Sequence, residues 1–138
     1  MEGPRFNGRI APPAARTARA AIGLAAEERA LRLLESHGLR LVTRNYRVAR
    51  GRSRPGGEID LILRDRDGTL VFVEVRARRD RAAGGAAASV GPAKRARLLY
   101  AARTYLAQLE RVPPCRFDVV AIDGEHAQWL PAAFDDPG

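Results

Sequence analysis

Four charged residues stand where packing alone would not put them: Glu58 and Asp60 in the run Gly57-Glu58-Ile59-Asp60-Leu61-Ile62-Leu63, and Glu74 and Arg76 in Leu70-Val71-Phe72-Val73-Glu74-Val75-Arg76. The alternate positions Ile59, Leu61, Leu63, Val71, Val73 and Val75 are apolar, and Ile62 and Phe72 make the acid-bearing face partly apolar as well. Strands apolar on both faces are usually central ones. The segment between them contains Arg66-Asp67-Gly68, which suits a three-residue hairpin loop with Gly68 in the left-handed conformation. That register sets Asp60 opposite Glu74 and Glu58 opposite Arg76. Directly opposed side chains have Cβ atoms roughly 4.5–5.5 Å apart. Two carboxylates so placed repel unless a cation lies between them, and hard divalent ions such as Mg²⁺ or Mn²⁺ take oxygen ligands of this kind. Asp60 and Glu74 are therefore candidate metal ligands. The bland alternative is a solvated face on which each acid is accompanied by an arginine.

The elements that must position these residues can be read outward from the hairpin. Residues 17 to 37 have helical periodicity, with Gly38 as the stop. At 100° per residue, Ala20, Gly23, Leu24, Ala30, Leu31 and Leu34 fall within about 60° of Glu27, while Glu28, Arg32 and Glu35 share the polar arc. Glu27 sits in the apolar stripe and is a third candidate ligand, whereas Glu28 is solvated. Residues 39 to 48 suggest a first strand. Two basic, glycine-containing loops flank the acidic hairpin, one carrying Arg52 and Arg54, the other Arg78 and Arg79, and both are candidates for nucleic-acid contact. The second is long for a simple connection, as loops that close over a ligand often are.

A second helix follows Gly91-Pro92, with proline in its first turn, and runs to about Glu110. Lys94, Arg95 and Arg97 crowd its positive end, where cations are disfavoured unless an anion is bound, and phosphate is the natural candidate. Lys94 is the single lysine among 24 basic residues. Codon bias toward arginine accounts for the ratio; a retained lysine suits a place where a compact ammonium is needed. Arg116 to Ile122 reads as another buried strand, with Asp118 structural and paired to an arginine, and Glu125 to Leu130 as a short edge strand. Residues 1 to 16, rich in proline and arginine, read as a disordered basic arm ahead of a single domain at 17–138.

The chain has 138 residues, is 46% hydrophobic and carries a net charge of +8, enough for one core and a polyanionic partner, nucleic acid before membrane. No apolar run reaches the roughly 18 residues of a span, and the N-terminal segment lacks the apolar centre of a secretory signal, so a cytoplasmic location is expected. Cys115 cannot form an internal disulfide, and with His37 and His126 it makes no zinc-type cluster.

Gly23-x-x-x-Glu27-x-x-Ala30, Asn45-x-Arg47, Gly57-Glu58-Ile59-Asp60-Leu61-Ile62, Val71-Phe72-Val73-Glu74-Val75-Arg76, Lys94 and Arg116-Phe117-Asp118-Val119-Val120 together resemble the YraN family of bacterial proteins, in order and spacing over about residues 20 to 134. The resemblance implies an α/β, restriction-endonuclease-like fold related to archaeal Holliday junction resolvases, with a mixed β-sheet flanked by helices. It also implies a PD-(D/E)xK-type site onto which Asp60, Glu74 and Arg76 map, with Glu27 as the helix-borne acid. Ile59 replaces the motif's proline, and Arg76 stands where the motif carries lysine. Arginine keeps its proton at neutral pH, so Arg76 can stabilise charge or orient water and cannot be a general base.

The leading expectation is a Mg²⁺- or Mn²⁺-dependent endonuclease acting on DNA, branched DNA included, with Glu27, Asp60, Glu74 and Arg76 as its catalytic group and Lys94 on the phosphate. The rivals are a non-catalytic nucleic-acid-binding module, in which the acids form salt bridges, and a protein-interaction subunit of a DNA-processing machine. A homodimer is among the assemblies open to such a chain, and a membrane partner is not expected.

Overall fold

The computed structural model describes residues 13–77 and 90–134, with side chains from residue 23 onward. The element order is α1 (Pro13–Ser36), β1 (Arg40–Val48), β2 (Gly57–Arg64), β3 (Leu70–Ala77), α2 (Pro92–Leu106), β4 (Cys115–Asp123) and β5 (His126–Phe134). The five strands form one mixed sheet in sequential order, β1-β2-β3-β4-β5. Only β3 and β4 run parallel, joined by the crossover that contains α2; the other neighbours are antiparallel. This is the α/β mixed sheet flanked by helices that the resemblance implies.

Helix α1 begins at Pro13, earlier than the periodicity of its apolar residues suggested, in keeping with the tolerance of a first helical turn for proline. It ends as expected at Gly38, whose φ is 93°. The Gly38 N–H donates to Glu35 (3.0 Å) and the Leu39 N–H to Leu34 (3.2 Å), the paired bonds of a Schellman stop, with Leu34 and Leu39 both buried. Ala26, Ala30, Leu31 and Leu34 pack on one sheet face against Leu61, Leu63, Val71 and Val73. The stripe is centred nearer Ala30 and Leu34 than Glu27, so Leu24 falls on its margin and is 59% exposed, contrary to its assignment to the apolar arc. Helix α2 stops at Leu106, short of Glu110, and covers the opposite face through Leu98, Ala101 and Ala102 against Ile59, Ile62 and Phe72.

The central hairpin has the expected register: Leu61, Ile62, Leu63 and Arg64 pair with Val73, Phe72, Val71 and Leu70. Asp65 N–H donates to Thr69 O (2.8 Å), Gly68 N–H to Asp65 O (3.0 Å), and Gly68 has φ 92°. Asp118 on β4 is 1% exposed and structural, as expected. It accepts hydrogen bonds from Arg116 Nε (3.1 Å), the Trp129 indole (3.0 Å) and the Ala132 N–H (2.9 Å). β5 runs to Phe134, beyond the short strand foreseen, because its far half continues the pairing as Phe134 meets Phe117. Of the arm expected at 1–16, residues 13–16 are helical and form the start of α1, whereas residues 1–12 and the loop bearing Arg78 and Arg79 lie outside the described residues.

Candidate active site

β3 is paired to β4 along its whole length, but its ladder to β2 ends at Leu61↔Val73. Asp60 sits at the point of divergence. Its Oδ2 accepts the Val75 N–H at 2.8 Å, so a side-chain oxygen occupies a place in the hairpin where a strand carbonyl would otherwise be. On the other edge of β2 the register steps from Arg44↔Leu61 to Tyr46↔Ile59, which leaves Asn45 opposite Asp60. Asn45 has φ 53°, a left-handed conformation that asparagine adopts more readily than other non-glycine residues. The face pattern of β2 turns over at the same place: Leu61 and Leu63 pack toward α1, yet Ile59 packs toward α2 with Ile62. Asp60 thus lies where the β2–β3 ladder opens.

Three further charged groups meet at this opening, and a fourth, Glu27, faces it from α1. Glu74 is 3% exposed, and its carboxyl hydrogen-bonds that of Asp60, which is 9% exposed. Lys94 Nζ, from the first turn of α2, and Arg76 Nη1 each lie 3.5 Å from Glu74 Oε2. Burial, and then the charge of Asp60, push the Glu74 carboxyl from its ordinary 4.5 up to about 7, against the downward pull of Lys94 and Arg76. Burial also raises Asp60, opposed first by the Val75 N–H. Both shifts run in the direction that favours sharing a proton between the two carboxyls. From the α1 side, Glu27 is raised by burial and by the charge of Asp60, and the Asn45 side chain donates a hydrogen bond to it.

The donor set is all oxygen, two of the carboxyls are buried, and burial and mutual repulsion oppose their ionisation in the absence of a cation. These residues fit a hard divalent cation, which would compete with protons for the carboxylates. The structure brings Asp60, Glu74, Arg76 and Lys94 together. Glu27 stands farther out: among the described residues no three acids are close enough to share one ion.

Two electrostatic pairings differ from those read in the sequence. Glu58 does not meet Arg76, because the ladder that would bring them together has already ended. Glu58 instead lies 3.6 Å from Arg47 and 3.7 Å from Arg97. The cations at the start of α2 also have protein partners where phosphate was expected: Lys94 has Glu74, Arg97 has Glu58, and Arg95 donates to the Val90 carbonyl at 2.9 Å and stacks on Phe134. Buried Nε of Arg97 has no hydrogen-bond partner among the described residues. Arg52 and Arg54 are exposed in the loop before β2, where Arg50 lies over the Tyr100 ring.

Asn45 and Gly57 were named in the sequence motifs without a role. Asn45 holds Glu27 and turns β1 at the opening. Gly57 lets β2 approach α2: a Cβ there would stand 2.7 Å from Ala101 N and from Arg97 O, both backbone atoms. The only sequence signal for either was asparagine in a strand and glycine at a strand start, both open to blander readings.

The sequence profile of the uncharacterised protein family UPF0102 matches residues 26–122, which spans every group of the site described above. A UPF0102 protein of Methylibium petroleiphilum is 63% identical over 115 residues, 83% of this chain and 94% of the relative. One from Paracidovorax citrulli is 60% identical over 122 residues, covering 88% of each chain. Another, from Acidovorax sp. strain JS42, is 57% identical over 133 residues and 96% of each.

Proposed function

We propose, from the premise that this chain belongs to the UPF0102 family, also called the YraN family, that it is a metal-dependent DNA endonuclease that hydrolyses phosphodiester bonds. The observation that carries the reading is the Asp60–Glu74 pair: two buried carboxyls forced together at an opening in a sheet, next to two cations. A purely structural pair of this kind costs stability, since burial and mutual repulsion both oppose its ionisation.

Asp60 and Glu74 would hold Mg²⁺ or Mn²⁺, and Glu27, which stands too far out to share that ion, would add negative charge from the α1 side. A bound ion of this type lowers the pKa of a coordinated water and offsets the charge that develops on a phosphate under attack. Asp60 is oriented by the Val75 N–H, so one oxygen is fixed and its carboxylate plane is set before any ligand arrives. Arg76 and Lys94 turn toward Glu74 in the structure, and the same two groups would contact a scissile phosphate. Arg76 remains charged throughout and supplies charge and orientation rather than base catalysis.

The experiment is an incubation with Mn²⁺ and labelled linear duplex, single-stranded and four-way-junction DNA. Glu74→Ala should lose all cleavage, and Arg76→Lys should retain or raise it by restoring a compact cation beside the phosphate. Cleavage that survives Glu74→Ala belongs to a contaminant. No cleavage of any substrate by the wild type would favour a non-catalytic nucleic-acid-binding module, the reading supported by the fact that Glu74 and Glu58 already have cationic partners.

A further inference from the structure

At the turn end of the hairpin, away from the carboxyl pair, Gly38, Arg40, Arg64, Asp65, Arg66 and Gly68 line a pocket of about 340 Å³. Arg40 and Arg64 are directly opposed partners on β1 and β2. Like charges in that relation destabilise a strand pair, and neither arginine has a carboxylate within salt-bridge distance among the described residues. Arg64 Nη1 donates instead to the Gly68 carbonyl at 3.0 Å, which fixes the direction of its guanidinium.

Arg66 lies against Gly38, where a Cβ would overlap its guanidinium. The one acid in the lining, Asp65, is committed elsewhere: its Oδ2 accepts from Arg116 at 3.0 Å and its Oδ1 from the Arg66 N–H at 2.7 Å. The terminal carbonyls of α1 that would repel an anion are taken up by the helix stop. Three guanidinium groups therefore line a hollow whose only carboxylate among the described residues is paired with Arg116.

We propose that this pocket is a phosphate-binding site, with Arg40 and Arg64 flanking the phosphate and Arg66 closing a third side. Arginine suits the task because its planar fork matches phosphate oxygens two at a time. The size points to more than a bare ion: at about 30 Å³ per water, the hollow has room for roughly ten waters, enough for a phosphoester with its sugar. The site is independent of the carboxyl pair, from which it is separated by the length of β2, about 13 Å for the four steps from Asp60 to Arg64.

Isothermal titration with inorganic phosphate, in place of chloride at constant ionic strength and with EDTA present, tests the assignment on the full chain. Arg40→Gln/Arg64→Gln should weaken phosphate binding at least tenfold. In chloride alone the double variant should melt no lower than the wild type, because the opposed charges are gone, which separates loss of binding from loss of fold. Fluorescence anisotropy with 5′-phosphorylated and 5′-hydroxyl oligonucleotides then identifies the source. A preference for the phosphorylated end that the double variant loses assigns the site to a nucleic-acid terminus; equal affinity, with the inorganic phosphate result intact, assigns it to a small phosphoester. Phosphate affinity equal in wild type and double variant overturns the proposal, whatever the outcome at the carboxyl pair.

Discussion

A carboxyl held at about 7 by burial and by a neighbouring acid makes Glu74 a measurable cost to the fold. Its unfolded value is the ordinary 4.5, so between the two values the folded chain keeps a proton that the unfolded chain has lost. The contribution of this group to stability is complete below the lower value and is lost as pH rises through the higher one, at most about 3 kcal/mol. Melting temperature in EDTA should therefore fall between pH 5 and pH 8, and Glu74→Gln should flatten the fall. Mg²⁺ should restore stability more at pH 8 than at pH 6, where it competes with the shared proton. A wild-type pH profile matching that of Glu74→Gln would remove the coupled pair. Asn45 admits a second test, since two separable properties meet there: a left-handed backbone and a hydrogen bond to Glu27. Asn45→Gly keeps the first and loses the second, whereas Asn45→Ala loses both and should cost about 1–2 kcal/mol more in urea denaturation. Equal stabilities would mean that the backbone conformation is not strained. The acids were legible in the sequence because they broke an apolar pattern. Asn45 was not, because no pattern reveals the φ of a single strand residue, and Glu58 was misassigned because periodicity extends a ladder past the point where Asp60 pushes it apart.

At the scale of elements, the strands that read most clearly were the ones with the least freedom. The hairpin turn dictated its register through Gly68, and that register held over Leu61 to Arg64. Helix ends were less legible: α1 stopped where Gly38 required, while α2 ended at Leu106, ahead of any glycine or proline in its sequence. The length of β5 depends on a tertiary lock, which single-sequence periodicity does not contain. Asp118 on β4 receives the Trp129 indole and the Ala132 N–H from β5, and Arg116 links it onward to Asp65 beside the hairpin turn. Asp118→Ala leaves these donors and one guanidinium without their buried acceptor, and should destabilise the chain by roughly 3–5 kcal/mol. Asp118→Asn, which keeps one acceptor oxygen, should cost less. Urea denaturation followed by Trp129 fluorescence reads both, and a loss below about 1 kcal/mol for Asp118→Ala would show that water replaces the lock.

The molecule as a whole carries a net charge of +8, yet many of its cations are already engaged with acids or carbonyls inside the structure. Those best placed for a polyanion are the ones without such partners among the described residues, including exposed Arg52 and Arg54 in the loop that leads into β2 and the site. No helix among the described residues is long and apolar enough to cross a membrane; the proposed chemistry calls for a nucleic-acid partner. Each phosphate neutralised by a cation releases counterions, so log affinity for duplex DNA should fall linearly with log salt, by about 0.9 per contact. Measured in EDTA to keep cleavage out of the readout, Arg52→Gln/Arg54→Gln should reduce that slope by roughly 2 if both residues reach phosphates, with little change in sequence preference. Glu74→Gln should leave the slope nearly unchanged, since it alters the carboxyl pair rather than the loop. An undiminished slope in the double arginine variant would take the loop out of the interface. Affinity independent of salt in the wild type would remove electrostatic DNA binding from the account altogether, and with it the route by which a phosphodiester reaches Asp60 and Glu74.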